Sequence, residues 1–269
     1  MHQRLPTPTP IIDLPLPEFL TELLAGLGLT WTQVTIALLA TLGSAYVRGL
    51  AGFGMAILLV PVLALALPPV ESVVVANFLS LFIGLTEIRR LVRGAERSAF
   101  HLSGLVLLLT PLGLFALAAT GPDIARLVIA LIALSAFAAI LLPRRRALHH
   151  GPLVTGGVGV VSGLMTGYAG MPGPPVVPYY VGRDIPRETA KASMMLVFTV
   201  AGLAGLLSAS VLGIMEMRHP LLAAALFPMV LLGNWLGAKA SGKVSDPLWR
   251  SVVGLVLGGA AVAALIRLF

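Results

Sequence analysis

Val47-Arg48-Gly49-Leu50-Ala51-Gly52-Phe53-Gly54-Met55, with Pro61 seven residues beyond Gly54, is the stretch on which the reading of this chain turns. It interrupts an apolar region, where packing alone gives no reason for a glycine cluster and an arginine. A near copy follows as Ser162-Gly163-Leu164-Met165-Thr166-Gly167-Tyr168-Ala169-Gly170-Met171-Pro172-Gly173-Pro174-Pro175, with Pro178 behind it. Each copy predicts a membrane helix broken at depth. Such breaks are tolerated in hydrocarbon only where protein or a cavity surrounds them. Paired breaks at matching positions of two halves point to the binding site of a secondary transporter.

The surrounding chain supports a membrane setting. Of its 269 residues, 58% are apolar and only 11% charged, with mean hydropathy +0.98. A soluble domain carries about a quarter charged residues. The net charge of +7 comes from Lys and Arg in short loops between apolar runs, so it reports membrane orientation and no nucleic-acid partner is expected. The absence of cysteine excludes disulfides, thiolate metal sites and cysteine nucleophiles. Residues 1–30 hold five prolines between Pro6 and Pro17, then a short amphipathic stretch from Glu18 to Gly26. They read as an extended and interfacial segment, with no cleavable signal peptide.

Ten apolar segments follow, near 31–48, 54–67, 71–88, 102–120, 124–142, 152–169, 172–181, 187–213, 219–237 and 248–267. Eight are long enough to span, since about 20 helical residues cross the hydrocarbon core. The second and seventh are too short, and each follows a glycine motif, so motif and segment together read as a discontinuous or re-entrant helix. Pro61, Pro69, Glu71 and Pro111 match Pro178, Pro186, Glu188 and Pro228 at one offset of 117, and Arg126 opens the fifth segment as Arg250 opens the tenth. The expected fold is therefore an all-α polytopic membrane protein of two five-segment repeats, 31–142 and 152–269, joined by a cytoplasmic linker at 143–151. An odd number of segments inverts the second repeat. Thirteen of the 18 Lys and Arg lie in the loops 89–101, 143–151, 182–191 and 238–250, which places both termini outside.

The candidate substrate-binding residues are Arg48, Gly52, Phe53, Gly54, Asn77, Thr166, Gly170, Met171 and Gly173. Glycine lets a ligand approach the chain closely. A half-helix starting at depth offers unpaired N–H groups and a positive dipole end to an anion. Arg48 is the only basic residue in a segment interior or beside a break, and an intramembrane charge marks function by default; its guanidinium suits carboxylate, sulfonate or sulfate oxygens. Asn77, mid-segment, needs a partner or a ligand. The competing readings are close helix contact for the glycines, snorkelling for Arg48 and interhelical bonding for Asn77, Asn234, Thr166 and Tyr168. Glu87 reads as an interfacial salt-bridge partner of Arg89 and Arg90, and Glu71 and Glu188 as ordinary helix N-terminal acids.

Enzyme chemistry has little to work with, because all five histidines lie in tails or loop edges and none sits in a metal-ligand cluster. No cofactor or metal is expected. The rivals to an anion permease or exporter working by alternating access are a lipid-pyrophosphate-phosphatase-like intramembrane enzyme and an anion channel. The first would need carboxylates near the breaks, which neither motif supplies; the second would need a continuous polar stripe.

The pattern Arg48-Gly49-Leu50-Ala51-Gly52-Phe53-Gly54 then Pro61, with Gly167-x-x-Gly170-x-Pro172-Gly173-Pro174-Pro175 before Tyr179-Tyr180, resembles the TauE/SafE sulfite-exporter (TSUP) family of membrane anion transporters. The resemblance covers about 31–268 in segment order and loop placement. It implies transport of sulfite, organosulfonates or other small organic or inorganic anions across a bacterial inner membrane, with protons or sodium as candidate coupling ions. The family's turn often has consecutive glycines, whereas here Met55 follows Gly54 and Met171 follows Gly170. Substrate identity, transport direction and oligomeric state are not written in these motifs.

Overall fold

The computed structural model describes residues 28–141, 151–240 and 246–266. Among them are eleven helices and no strand: α1 (Trp31–Ala51), α2 (Met55–Ala66), α3 (Pro69–Leu85), α4 (Ile88–Gly94), α5 (Arg97–Ala118), α6 (Pro122–Leu141), α7 (Pro152–Ala169), α8 (Gly173–Val181), α9 (Arg187–Val211), α10 (Arg218–Ala240) and α11 (Asp246–Ile266). The N-terminal stretch 1–27 and most of the linker 143–151 lie outside the described residues.

By length and composition, α1, α5, α9 and α10 can each cross a membrane. α3 and α4 qualify together as a fifth candidate, a broken span or a re-entrant loop, and meet at a bend of 77°. The bend falls at the end of the expected 71–88 segment, and α4 is a short helix within the expected loop 89–101. No proline sits at the junction, and Gly84 lies one residue inside the end of α3. The Thr86 hydroxyl donates to the Ile83 carbonyl at 2.7 Å, and the Glu87 N–H bonds the Gly84 carbonyl at 3.1 Å. These contacts tighten the last turn of α3 and end it there. α7, at 18 residues, holds five glycines, which dilute its hydropathy.

Small residues build the main seams. A Cβ on Gly49 of α1 would overlap the Asn234 carbonyl oxygen of α10, and one on Gly237 would overlap the Tyr46 carbonyl of α1. α5 and α7 dock in the same way, Gly113 against the Leu164 carbonyl and Gly167 against the Thr110 carbonyl. Without a hydrophobic drive between helices in lipid, such close backbone approach supplies the packing energy. α3 and α9 cross through the middle, Gly202 against the Asn77 carbonyl and Gly84 against Thr199. α9 has more buried residues than any other described helix, Met194 to Val197 among them.

Ion pairs gather at two ends. At one, Arg90 meets Glu188 at 3.1 Å and Arg183 binds Glu96. At the other, Arg218 meets Glu71 at 2.9 Å and Arg126 meets Asp123 at 2.7 Å. Glu71 and Glu188 are thus more than N-terminal acids. Each begins one of the crossing helices α3 and α9, and each pairs with an arginine that follows the other helix.

Candidate functional site

Both glycine motifs end one helix and begin another. α1 stops at Gly52, whose φ of 84° is left-handed, and its N–H bonds the Arg48 carbonyl at 2.7 Å. Gly54, at φ 96°, then caps the start of α2. α7 stops at Gly170, at φ 65°, with the Gly170 N–H on the Thr166 carbonyl at 2.8 Å and the Met171 N–H on the Met165 carbonyl at 3.3 Å. A left-handed residue at these points disfavours any side chain, which explains the glycines.

The two short helices are tied down at their far ends. The Arg126 Nε donates to the Ala64 carbonyl at 2.7 Å, and the Gln33 Nε2 to the Ala66 carbonyl at 2.8 Å, which satisfies the last turn of α2. At the end of α8, Tyr179 accepts from the Arg183 Nη1 at 2.7 Å and shares a hydroxyl contact with Thr155 at 2.8 Å, while Tyr180 lies 2.9 Å from the Ser98 hydroxyl. Their near ends turn toward each other. A Cβ on Gly173 would lie 3.6 Å from the Ile57 Cδ1 of α2, and one on Gly170 would lie 3.4 Å from the Val60 Cγ2.

Between them lies a cavity lined by residues of both breaks, α3 and α9. Of the expected residues, Arg48, Phe53, Gly54, Asn77, Gly170, Met171 and Gly173 line it. Gly52 sits at the break beside it, with the Lys191 side chain packed over the glycine, 3.0 Å from where a Cβ would be. Thr166 does not reach the wall. It is fully buried, and its hydroxyl donates to the Ser162 carbonyl at 2.7 Å within α7. Tyr168 turns away as well, toward the Thr120 hydroxyl at 3.3 Å.

Arg48 has an 11% exposed side chain and two neighbours. Its Nη1 donates to the Asn234 Oδ1 of α10 at 2.8 Å, and its Nη2 stands 4.0 Å from the Glu87 Oε1 at the α3–α4 bend. Glu87 also faces Arg90 at 3.7 Å, as expected from the sequence, but the pairing with Arg48 was not expected. The motifs themselves carry no carboxylate; one reaches the arginine from elsewhere in the chain. Asn77 is 2% exposed, and its Nδ2 is buried without an acceptor.

Sequence reasoning missed one wall. Met195, Phe198, Thr199 and Gly202 of α9 line the cavity at spacings of three, four and seven. That is one face of a helix. The Thr199 hydroxyl is spent on the Met195 carbonyl at 2.8 Å, so this wall is largely apolar.

Against this geometry, a family model described as "Sulfite exporter TauE/SafE" matches residues 36–264, a span that includes both breaks, Arg48 and the α9 wall. The chain belongs to the TauE/SafE family. No curated protein and no solved structure matches it. TauE/SafE membership, with its apolar helices, makes the chain an integral membrane protein of a transporter family named for sulfite export.

Proposed function

We propose that this TauE/SafE chain is a secondary transporter that moves small anions, sulfur-containing ones among them, across a bacterial inner membrane by alternating access. The observation that carries the reading is the cavity, which gathers both glycine breaks and the buried Arg48 in one place. The starts of α2 and α8 each bring about half a positive charge to it. Arg48, Phe53, Gly54, Asn77, Gly170, Met171 and Gly173 contact the anion, and Gly52 holds the turn that allows it. Thr166 shapes the helix end before the second break.

In this reading ten segments form two inverted repeats, 31–142 and 152–269, with the linker 143–151 and the Lys- and Arg-rich loops in the cytoplasm and both termini outside. Several features support it. The offset of 117 relates prolines and acids of the two halves. Glu71–Arg218 and Glu188–Arg90 cross between α3 and α9 in reciprocal fashion. The seams α1–α10 and α5–α7 each join one helix of each half. An inverted pair sharing one midplane site is a recurrent transporter plan.

The test is flux into proteoliposomes of labelled sulfite, sulfonates and carboxylates, with and without imposed proton and sodium gradients. Saturable, gradient-dependent anion flux supports the proposal. Unsaturable flux at channel rates points to the anion channel, and selective cation transport overturns the reading.

A further inference from the structure

Resting on the anion-transport reading, we infer that Lys191 is a second anion-binding residue, whose ammonium captures the anion at the mouth of the cavity and hands it on to Arg48. Three observations carry this.

The first is place. Met195, Phe198, Thr199 and Gly202 form the α9 wall of the cavity. Lys191 stands four residues before Met195, one turn further along the same face of α9. Another turn back, Glu188 meets Arg90 at 3.1 Å among the ion pairs of this end. Lys191 therefore lies between those ion pairs and the cavity wall.

The second is contact with the break. The Lys191 stem crosses the buried Gly52, where α1 ends. A Cβ on Gly52 would stand 3.0 Å from the Lys191 Cε, 3.5 Å from its Cδ and 3.6 Å from its Nζ. The cavity-lining Phe53 and Gly54 follow directly in the chain. The carbonyl end of α1 favours a cation here, which holds the ammonium beside the break without a carboxylate to cancel it.

The third is charge. Arg48 is already engaged, with the Asn234 Oδ1 at 2.8 Å and the Glu87 Oε1 at 4.0 Å. To an approaching anion that pair is close to a dipole, whose attraction fades faster than that of a lone charge. Lys191 is partly buried and makes no ion pair with any described carboxylate. A cleft with low-dielectric walls focuses the field of such a charge and speeds encounter. Lysine is also a point charge on a flexible stem. It can follow a moving anion, whereas the braced Arg48 suits holding one.

The experiment uses the absence of native cysteine. Purified Lys191→Cys is alkylated with 2-bromoethylamine, iodoacetamide or iodoacetate, giving a positive, neutral or negative side chain on one folded protein, with the wild type treated alike. Uptake of labelled sulfite, ethanesulfonate, acetate and propylammonium into proteoliposomes gives KM and maximal rate. For each anion the wild type moves, the neutral form should show a KM about tenfold higher at a maximal rate within about twofold. The aminoethyl form should return to near the wild-type KM, and the carboxymethyl form should be the weakest. The gap between neutral and positive forms should narrow as ionic strength rises. One KM shared by the three alkylated forms, or a gap indifferent to salt, overturns the inference while leaving anion transport standing. Lys191→Gln repeats the test without alkylation, and a wild-type KM there overturns the inference equally. Absence of any anion uptake by the wild type, or uptake of propylammonium alone, overturns both.

Discussion

Alanine at Gly49 is the most direct probe of how the cavity is held together. A Cβ there would overlap the Asn234 carbonyl oxygen and approach the Ala238 nitrogen to 2.8 Å and the Asn234 carbonyl carbon to 2.9 Å. All three are backbone atoms of α10, so no side chain can swing aside, and the helices must part by about 1 Å or more to restore ordinary contact. Overpacking of this kind costs about 1–3 kcal/mol. The same helix supplies its own control. Gly43 has nothing within 4 Å of a Cβ, so Gly43→Ala should gain up to about 1 kcal/mol of helix propensity. The two variants should differ by about 1–4 kcal/mol, or roughly 2–15 °C in apparent Tm at fixed scan rate. Heating the detergent-purified protein and measuring the fraction that remains monodisperse reads this difference. Parting the seam also stretches the Arg48–Asn234 bond, now 2.8 Å, so anion binding by Gly49→Ala should weaken even below its melting range. If Gly49→Ala melts at or above Gly43→Ala, the close α1–α10 seam is wrong.

Arg48→Lys should reduce anion flux about tenfold despite its charge, because the fork that bonds Asn234 is lost, and Arg48→Ala should reduce it further; labelled-anion uptake into proteoliposomes is the measure. Glu87→Gln should raise the affinity for sulfate about tenfold or more by unmasking Arg48, as seen in competition titrations. Glu71→Gln should destabilise the protein more than Glu188→Gln, by about 2 kcal/mol, since Glu71 is 6% exposed and Glu188 73%; apparent Tm of the two variants decides. Cysteine placed at Arg93 in the otherwise cysteine-free chain should resist an impermeant thiol reagent in intact cells, whereas Gly121→Cys should react, and the reverse result refutes the orientation.

The breaks were legible because glycine and proline act through local backbone geometry, which sequence displays directly. Gly52, Gly54 and Gly170 all adopt the left-handed conformations that only glycine takes readily. Arg48 was legible as a charge out of place. Its company was not. Glu87 and Asn234 lie 39 and 186 positions away, and their meeting depends on a bend set by the Thr86 and Glu87 contacts at the end of α3. The α9 wall was hidden for another reason. In a helix apolar all round, the stripe Met195, Phe198, Thr199 and Gly202 has no polar face to contrast with. Thr166 was misplaced by its nearness to the motif in sequence, since four residues before the break point its hydroxyl back into α7.

The glycine seams also set an order of assembly. α1 leaves the ribosome well before the surface it docks against, on α10, which is made some 180 residues later. Until then Gly49 and its neighbours along α1 face lipid or other proteins with a bare backbone groove. α5, by contrast, finds α7 soon after it is inserted. The N-terminal portion therefore cannot mature alone. Its first helix waits as an open clasp, and the cavity closes around Arg48 only when nearly the whole chain has entered the bilayer.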